Sequence, residues 1–116
     1  MTYTITHRGA WISLNAAYSK HYHARNQEKT RFALAFADLL SAADVPWLAA
    51  FELMLRYNSR MDADNTIGGV KVFVDTMRAV GIIENDTKDV YRGVHIIPDS
   101  RLKHNTYVIT LTALPT

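Results

Sequence analysis

The chain contains no cysteine. It therefore has no disulfide framework and no thiolate zinc site. It also lacks any apolar run near the roughly 20 residues that a membrane-spanning helix requires. The first residues, "MTYTITHRGAW", lack the charged-then-apolar layout of a signal peptide. Together these absences predict a cytoplasmic protein with no membrane partner. No linker, internal repeat or low-complexity segment is present. An excess of one charge is missing too. Thirteen Lys and Arg stand against 11 Asp and Glu, leaving a net charge of +2. That balance permits a nucleic-acid partner without demanding one. What remains is 116 residues, 48% of them hydrophobic. This is enough for one domain, residues 1–116, with a core that needs no staples.

Residues 2–6 alternate Thr and Tyr with Ile, which predicts a short strand. Residues 8–25 have no clean period and read as loop. Asn26 is a candidate cap for a helix with Glu28 in its first turn. Phe32, Phe36, Leu39, Leu40 and Ala43 then recur at helical spacing, and Pro46 stops the run. In residues 47–57, Phe51, Leu53, Leu55 and Tyr57 share one face of a strand, with Glu52, Met54 and Arg56 on the other. Val70, Phe73, Val74 and Met77 form one buried face of a helix over about 66–80. Lys71, Asp75 and Arg78 share another face. Asp64 or Asn65 is placed to cap this helix and Gly81 to end it. Two strands, about 89–97 and 105–113, are joined by a turn at Pro98, Asp99 and Ser100. The order β-α-β-α-β-β implies an α+β fold, with two helices packed on a small mixed sheet.

The segment "SRMDADNTIGGVKVFVDTM", residues 59–77, carries the chemistry. Asp62 and Asp64 leave a strand just before a helix, and residues i and i+2 on extended chain point to the same side. Asp86, in "GIIENDTKDV", follows the return of that helix. If the strand after Asp86 pairs with strand 47–57, the three carboxylates can converge. Two like charges about 4 Å apart repel by roughly 1 kcal/mol in water and 4 kcal/mol at an intermediate dielectric. Grouped carboxylates therefore call for a divalent cation, and oxygen-only ligands suit Mg²⁺, with Mn²⁺ as a substitute. Such an ion keeps positions open for water and phosphate, as phosphodiester hydrolysis requires. An EF-hand reading fails, because the glycine position holds Ile67 and the bidentate-acid position holds Phe73. Taken alone, Asp-x-Asp-Asn also reads as a simple helix cap.

The combination of "DADN", Lys71, Asp75 four residues later and "GIIENDT" resembles the RusA family of Holliday-junction resolvases. The similarity covers residues 60–92 and extends weakly to the start, where "SLNAAYSK" is similar to the family's Asn-x-x-Tyr loop. The resemblance implies a RusA-like domain and a Mg²⁺-dependent endodeoxyribonuclease. Such an enzyme is a homodimer that cuts four-way DNA junctions in recombination and repair, in a bacterial cell or a phage-infected host. It also implies that Asp62, Asp64 and Asp86 are the metal-binding and catalytic acids, and that Lys71 is the catalytic lysine. Two departures stand out. Five residues, "TIGGV", separate "DADN" from Lys71, and Asn85 replaces one acid of the pair before Thr87. They keep open an alternative, a catalytically weak or inactive protein that binds branched DNA.

DNA is held chiefly through its phosphates, by Lys and Arg. The candidates are Lys20, Arg25, Lys29 and Arg31 near the first helix, and Arg60, Arg78 and Lys88 around the acids. Tyr18 and Tyr22 are candidates for stacking on bases. His21 and His23 share a face but lack a second ligand cluster, so a metal role ranks below a phosphate-facing one. A two-fold junction calls for a C₂ dimer. The side of the terminal strands bearing Tyr107, Ile109 and Leu111, or the alternate residues, is the candidate contact.

Overall fold

The computed structural model describes residues 1–17 and 22–115. Strand β1 covers Thr2–Arg8 and a single helical turn, α1, covers Leu14–Ala17. Helix α2 spans Tyr22–Ala42 and strand β2 spans Phe51–Asn58. A 3-10 turn at Ala63–Thr66 leads into helix α3, Ile67–Ala79. Strands β3, Tyr91–Pro98, and β4, Thr106–Ala113, complete the chain. The fold is α+β, and its main elements follow the order β-α-β-α-β-β that the sequence predicts.

The patterning explains each element. On β2, Phe51, Leu53, Leu55 and Tyr57 are all buried, while Glu52, Met54, Arg56 and Asn58 take the opposite face. On α3, Val70, Phe73, Val74 and Met77 are buried, and Lys71, Asp75 and Arg78 are exposed. Both long helices end in the same way. Gly81 (φ 83°) donates its N–H to the Arg78 carbonyl, and Ile82 donates to Met77. After α2, Asp44 takes the left-handed conformation (φ 51°) instead of a glycine, donating to Ser41, while Val45 donates to Leu40.

The sheet order is β1-β4-β2-β3. β4 runs antiparallel to both β1 and β2, whereas β2 and β3 are parallel. A parallel pair needs a crossover, and α3 supplies it. Phe51 therefore pairs with Tyr91, and Tyr57 with Pro98. The exit of β2 and the entry to β3 lie at opposite ends of this pair. One hydrophobic cluster runs between helices and sheet, centred on Phe36, Leu40, Leu53, Leu55, Phe73, Met77, Ile109 and Leu111.

Three expectations are corrected. Residues 8–25 are not all loop: α1 and the start of α2 lie within them, so Asn26 is inside a helix and does not cap it. The added turn of α2 is "YHARN", which has no apolar stripe for a periodicity argument to detect. The strand expected from residue 47 begins at Phe51. Before it, Leu48 donates its N–H to the Ile82 carbonyl at 2.7 Å, tying this connection to the end of α3. Tyr107, Ile109 and Leu111 are at most 1% exposed. They belong to the core beneath the helices and do not form a dimer surface. On the alternate side, Val108 and Thr106 are buried as well.

The turn after β3 is anchored by a buried acid. Asp99 accepts two bonds from the Arg101 guanidinium, at 2.9 and 3.0 Å, and one from the Arg101 N–H at 3.0 Å. The Arg56 guanidinium adds a contact at 3.4 Å. These donors, Arg101 foremost, hold the Asp99 carboxyl down at about 2. Its folded value thus lies below its unfolded one. The stabilisation is fully present above about pH 4 and is lost as pH falls toward the folded value. Asp99→Asn should therefore cost stability at neutral pH and cost progressively less between about pH 4 and pH 2. Denaturant midpoints across that range check this. A constant difference would count against the assignment.

Candidate functional site

The 3-10 turn at Ala63–Thr66 is held from behind by the first strand's continuation. The Trp11 indole N–H donates to the Thr66 carbonyl at 2.9 Å, deep in the core. The Leu14 N–H donates to the Asn65 side-chain oxygen at 3.0 Å. Asn65 is thus a clip between the 10–14 segment and the acidic turn. It does not cap α3, whose N-cap is Thr66, without a side-chain capping bond. The two glycines let these segments meet. A Cβ on Gly68 would collide with the Ser13 and Leu14 backbone, and one on Gly69 with the Trp11 indole. This close approach accounts for a glycine pair at the start of a helix, where glycine is otherwise costly.

Beneath the turn, Trp11, Tyr107 and Tyr57 form a stack. Ring centroids are 4.5 Å apart for Trp11–Tyr107 and 5.8 Å for Tyr107–Tyr57, with planes within 10°. The Tyr107 hydroxyl donates to the Ser59 hydroxyl at 2.7 Å, and the Tyr57 hydroxyl donates to the Met61 carbonyl at 2.8 Å. Two aromatic side chains of the sheet thereby fix the path of residues 59–61. Asp62 and Asp64 follow, both exposed. Asp62 makes no side-chain capping bond to the turn it precedes. Both carboxylates act on Tyr57. Burial, then Asp62, Tyr107 and Asp64 in that order, push its phenol above the ordinary value.

Lys71 lies one turn into α3, about 6 Å along the axis from Ile67. With Val74, Asp75, Asp86 and Tyr91 it lines a groove of about 300 Å³. Burial and the neighbouring Asp86 raise the Asp75 carboxyl, and Lys29, Lys71 and Arg78 oppose the shift. Asp86 is therefore grouped with Asp75 and Lys71. Asn85 accepts the Asp86 N–H through its side-chain oxygen at 3.0 Å.

The expected convergence of Asp62, Asp64 and Asp86 on one point is not present. Among the described residues no three of His, Cys, Asp and Glu are grouped to hold a metal ion. The physical reason is the parallel β2–β3 pair. Asp62 and Asp64 follow the exit of β2, whereas Asp86 precedes β3, which starts at the other end. The 80–90 connection brings Asp86 only to the flank of α3. The donor chemistry is hard oxygen throughout. Carboxylate oxygen is the donor type that Mg²⁺ takes, and the described residues do not group three such donors.

Comparison with protein-family models and with curated proteins gives no match.

Of the basic candidates, Lys20 lies outside the described residues, as do Tyr18 and His21. Arg31 is exposed, pairs with Glu28 at 2.7 Å and lies over the Phe32 ring. Lys29 lines a groove between α2 and α3 together with Asp75. Arg60, Arg78 and Lys88 are exposed. Arg25 is half-buried on α2. His7 is half-buried. Its ring packs among Trp11, Phe32, Phe36 and Tyr107 and bonds the Ala10 carbonyl at 2.7 Å. Trp11, Tyr57 and Tyr91 were not singled out by motif reasoning. Their only sequence signal is aromatic character at strand or loop positions, which is shared with ordinary core residues.

Proposed function

We propose that this protein is a Mg²⁺-dependent endodeoxyribonuclease of branched DNA, which cuts four-way junctions by phosphodiester hydrolysis in recombination and repair. The observation that carries the reading is the state of Asp62 and Asp64. Their turn is held by Asn65, Trp11 and Tyr57, and both carboxylates stay exposed. Asp62 contributes no capping bond to the fold. The resemblance of residues 60–92 to the RusA family points the same way. Bound at Asp62 and Asp64, Mg²⁺ would supply charge neutralisation at the phosphate and a nucleophile at neutral pH. The protein's own part is positional. The clamped turn holds two acids at a fixed spacing, and Lys71 on the adjoining helical turn offers an ammonium to charge developing on the phosphate oxygens.

Cleavage of a synthetic four-way junction by the full chain, with and without Mg²⁺, tests the reading. Lys71→Ala should slow cleavage by roughly 10²-fold, as for a lost transition-state donor, with junction affinity little changed. An equal loss of affinity with no loss of rate would reduce Lys71 to a phosphate contact. The position of Asp86 apart from Asp62 and Asp64 favours a second reading, a protein that binds branched DNA and cuts it poorly. Tight junction binding without Mg²⁺-dependent cutting would select it. Paired cuts on a two-fold junction call for two sites, so we expect a C₂ homodimer in solution. Sedimentation at micromolar concentration checks this, and a monomer that makes paired cuts would refute the symmetry argument.

A further inference from the structure

We propose that the turn joining β3 to β4 is a DNA-binding surface, in which Arg101 is a fixed contact to a backbone phosphate of the junction arm beside the Asp62–Asp64 turn. The proposal rests on the nuclease reading above. Hydrogen bonds place the β3–β4 turn at the exit of β2. The Asp99 N–H donates to the Tyr57 carbonyl at 2.8 Å, and the Asn105 N–H donates to the Asn58 carbonyl at 2.6 Å. The Asn58 side-chain amide donates to the Leu102 carbonyl at 2.6 Å. On the other flank the Gly9 N–H, just past β1, donates to the Asn105 carbonyl at 2.9 Å. Asp62 follows Asn58 by four residues, at most about 14 Å of extended chain. The β3–β4 turn and the acidic turn therefore stand at the same end of the sheet.

Charge at this end differs from that of the whole chain. The three segments that meet here, 8–10, 56–61 and 98–106, hold five of the 13 Lys and Arg but one of the 11 Asp and Glu. That acid, Asp99, is buried and already engaged. Arg8, Arg60, Arg101, Lys103 and His104 are all exposed. A chain of nearly balanced charge thus presents a local basic surface, the footprint of a phosphate-bearing partner. Arg101 is its best-placed member. Its Nε and one Nη donate to the two Asp99 oxygens, which leaves three of its five N–H groups without a partner among the described residues. The side chain is 85% exposed. A buried carboxylate that grips one edge of the guanidinium holds the other edge toward solvent. That free edge suits two parallel bonds to phosphate oxygens, and little rotamer freedom is lost when they form.

The test is binding of a synthetic four-way junction by the full chain without Mg²⁺, followed by fluorescence anisotropy from about 50 to 200 mM salt. Arg101→Gln and Lys103→Gln should each weaken binding by roughly tenfold and flatten the slope of log K against log salt by about 1, as for one lost phosphate contact. Lys103 is exposed, so its variant keeps the test valid if loss of Arg101 disturbs the turn. Arg92→Gln removes the same charge at the start of β3, the opposite end of the sheet, and should leave affinity and slope unchanged. Wild-type affinity and slope in both the Arg101 and Lys103 variants overturn the proposal and leave the nuclease reading intact. An equal loss in the Arg92 variant overturns it too, since that marks a general effect of net charge. So does a loss confined to Arg101→Gln and accompanied by a lowered melting temperature, which marks a packing role. A wild-type chain that does not bind the junction sinks the nuclease reading and this proposal with it.

Discussion

Asp64→Asn is expected to abolish Mg²⁺-dependent junction cleavage while leaving the unfolding free energy within about 0.5 kcal/mol of wild type, as for an exposed surface site. Asp64 sits in the first turn of the 3-10 segment and is exposed. Its backbone carbonyl accepts the Ile67 N–H, a bond that the substitution keeps. Asparagine preserves the shape and removes one of two adjacent negative charges. An ion held by two carboxylates loses half of its anionic donors. Junction binding should persist, and it should tighten at low salt, because a charge facing the phosphates is gone. Single-turnover cleavage and gel-shift binding on the same junction measure both effects. A variant that cuts at near the wild-type rate would remove Asp64 from the site. A variant that unfolds would return the motif to a structural cap.

Gly68→Ala is expected to be among the most destabilising single-methyl changes in the chain. The added Cβ would lie against the Ser13 carbonyl and 2.6 Å from the Leu14 nitrogen. Both are backbone atoms, so no rotamer change relieves the overlap. Overpacking typically costs about 1–3 kcal/mol. Here, however, the obstacle is main chain, and the Leu14 N–H is already committed to Asn65. Relief requires that segment 10–14 lift from α3. Such movement would break the Leu14–Asn65 bond and strain the Trp11–Thr66 bond. A loss at or above the upper end of that range is expected, about 4–8 °C in Tm for each kcal/mol. Gly69→Ala meets the Trp11 ring instead. A side chain yields more readily than backbone, so it should cost less. A Gly68→Ala protein as stable as wild type would show that segment 10–14 does not dock this closely.

Local pattern made much of the fold legible. Alternation along residues 51–57 fixes which side of β2 faces the helices, because side chains alternate on a strand. The 3.6-residue period of Val70, Phe73, Val74 and Met77 does the same for α3. Gly81 marked the end of α3 because a left-handed residue is needed there. The start of α2 escaped because its first turns are polar. A helix carried by propensity alone leaves no period to read.

The site divides along the same line. Residue types and spacing alone were enough to single out Asp62, Asp64, Lys71 and Asp86, since carboxylate and ammonium chemistry is intrinsic to the side chain. Which of them stand together is a non-local fact. It depends on β3 pairing parallel with β2, so that Asp86 re-enters at the end of the sheet away from Asp62 and Asp64. The roles of Asn65 and the two glycines are also tertiary. They are defined by Trp11, Ser13 and Leu14, more than 50 residues earlier in the chain. No local rule links those positions. Only packing against α3 brings them into van der Waals contact, and there the absence of a Cβ becomes a requirement.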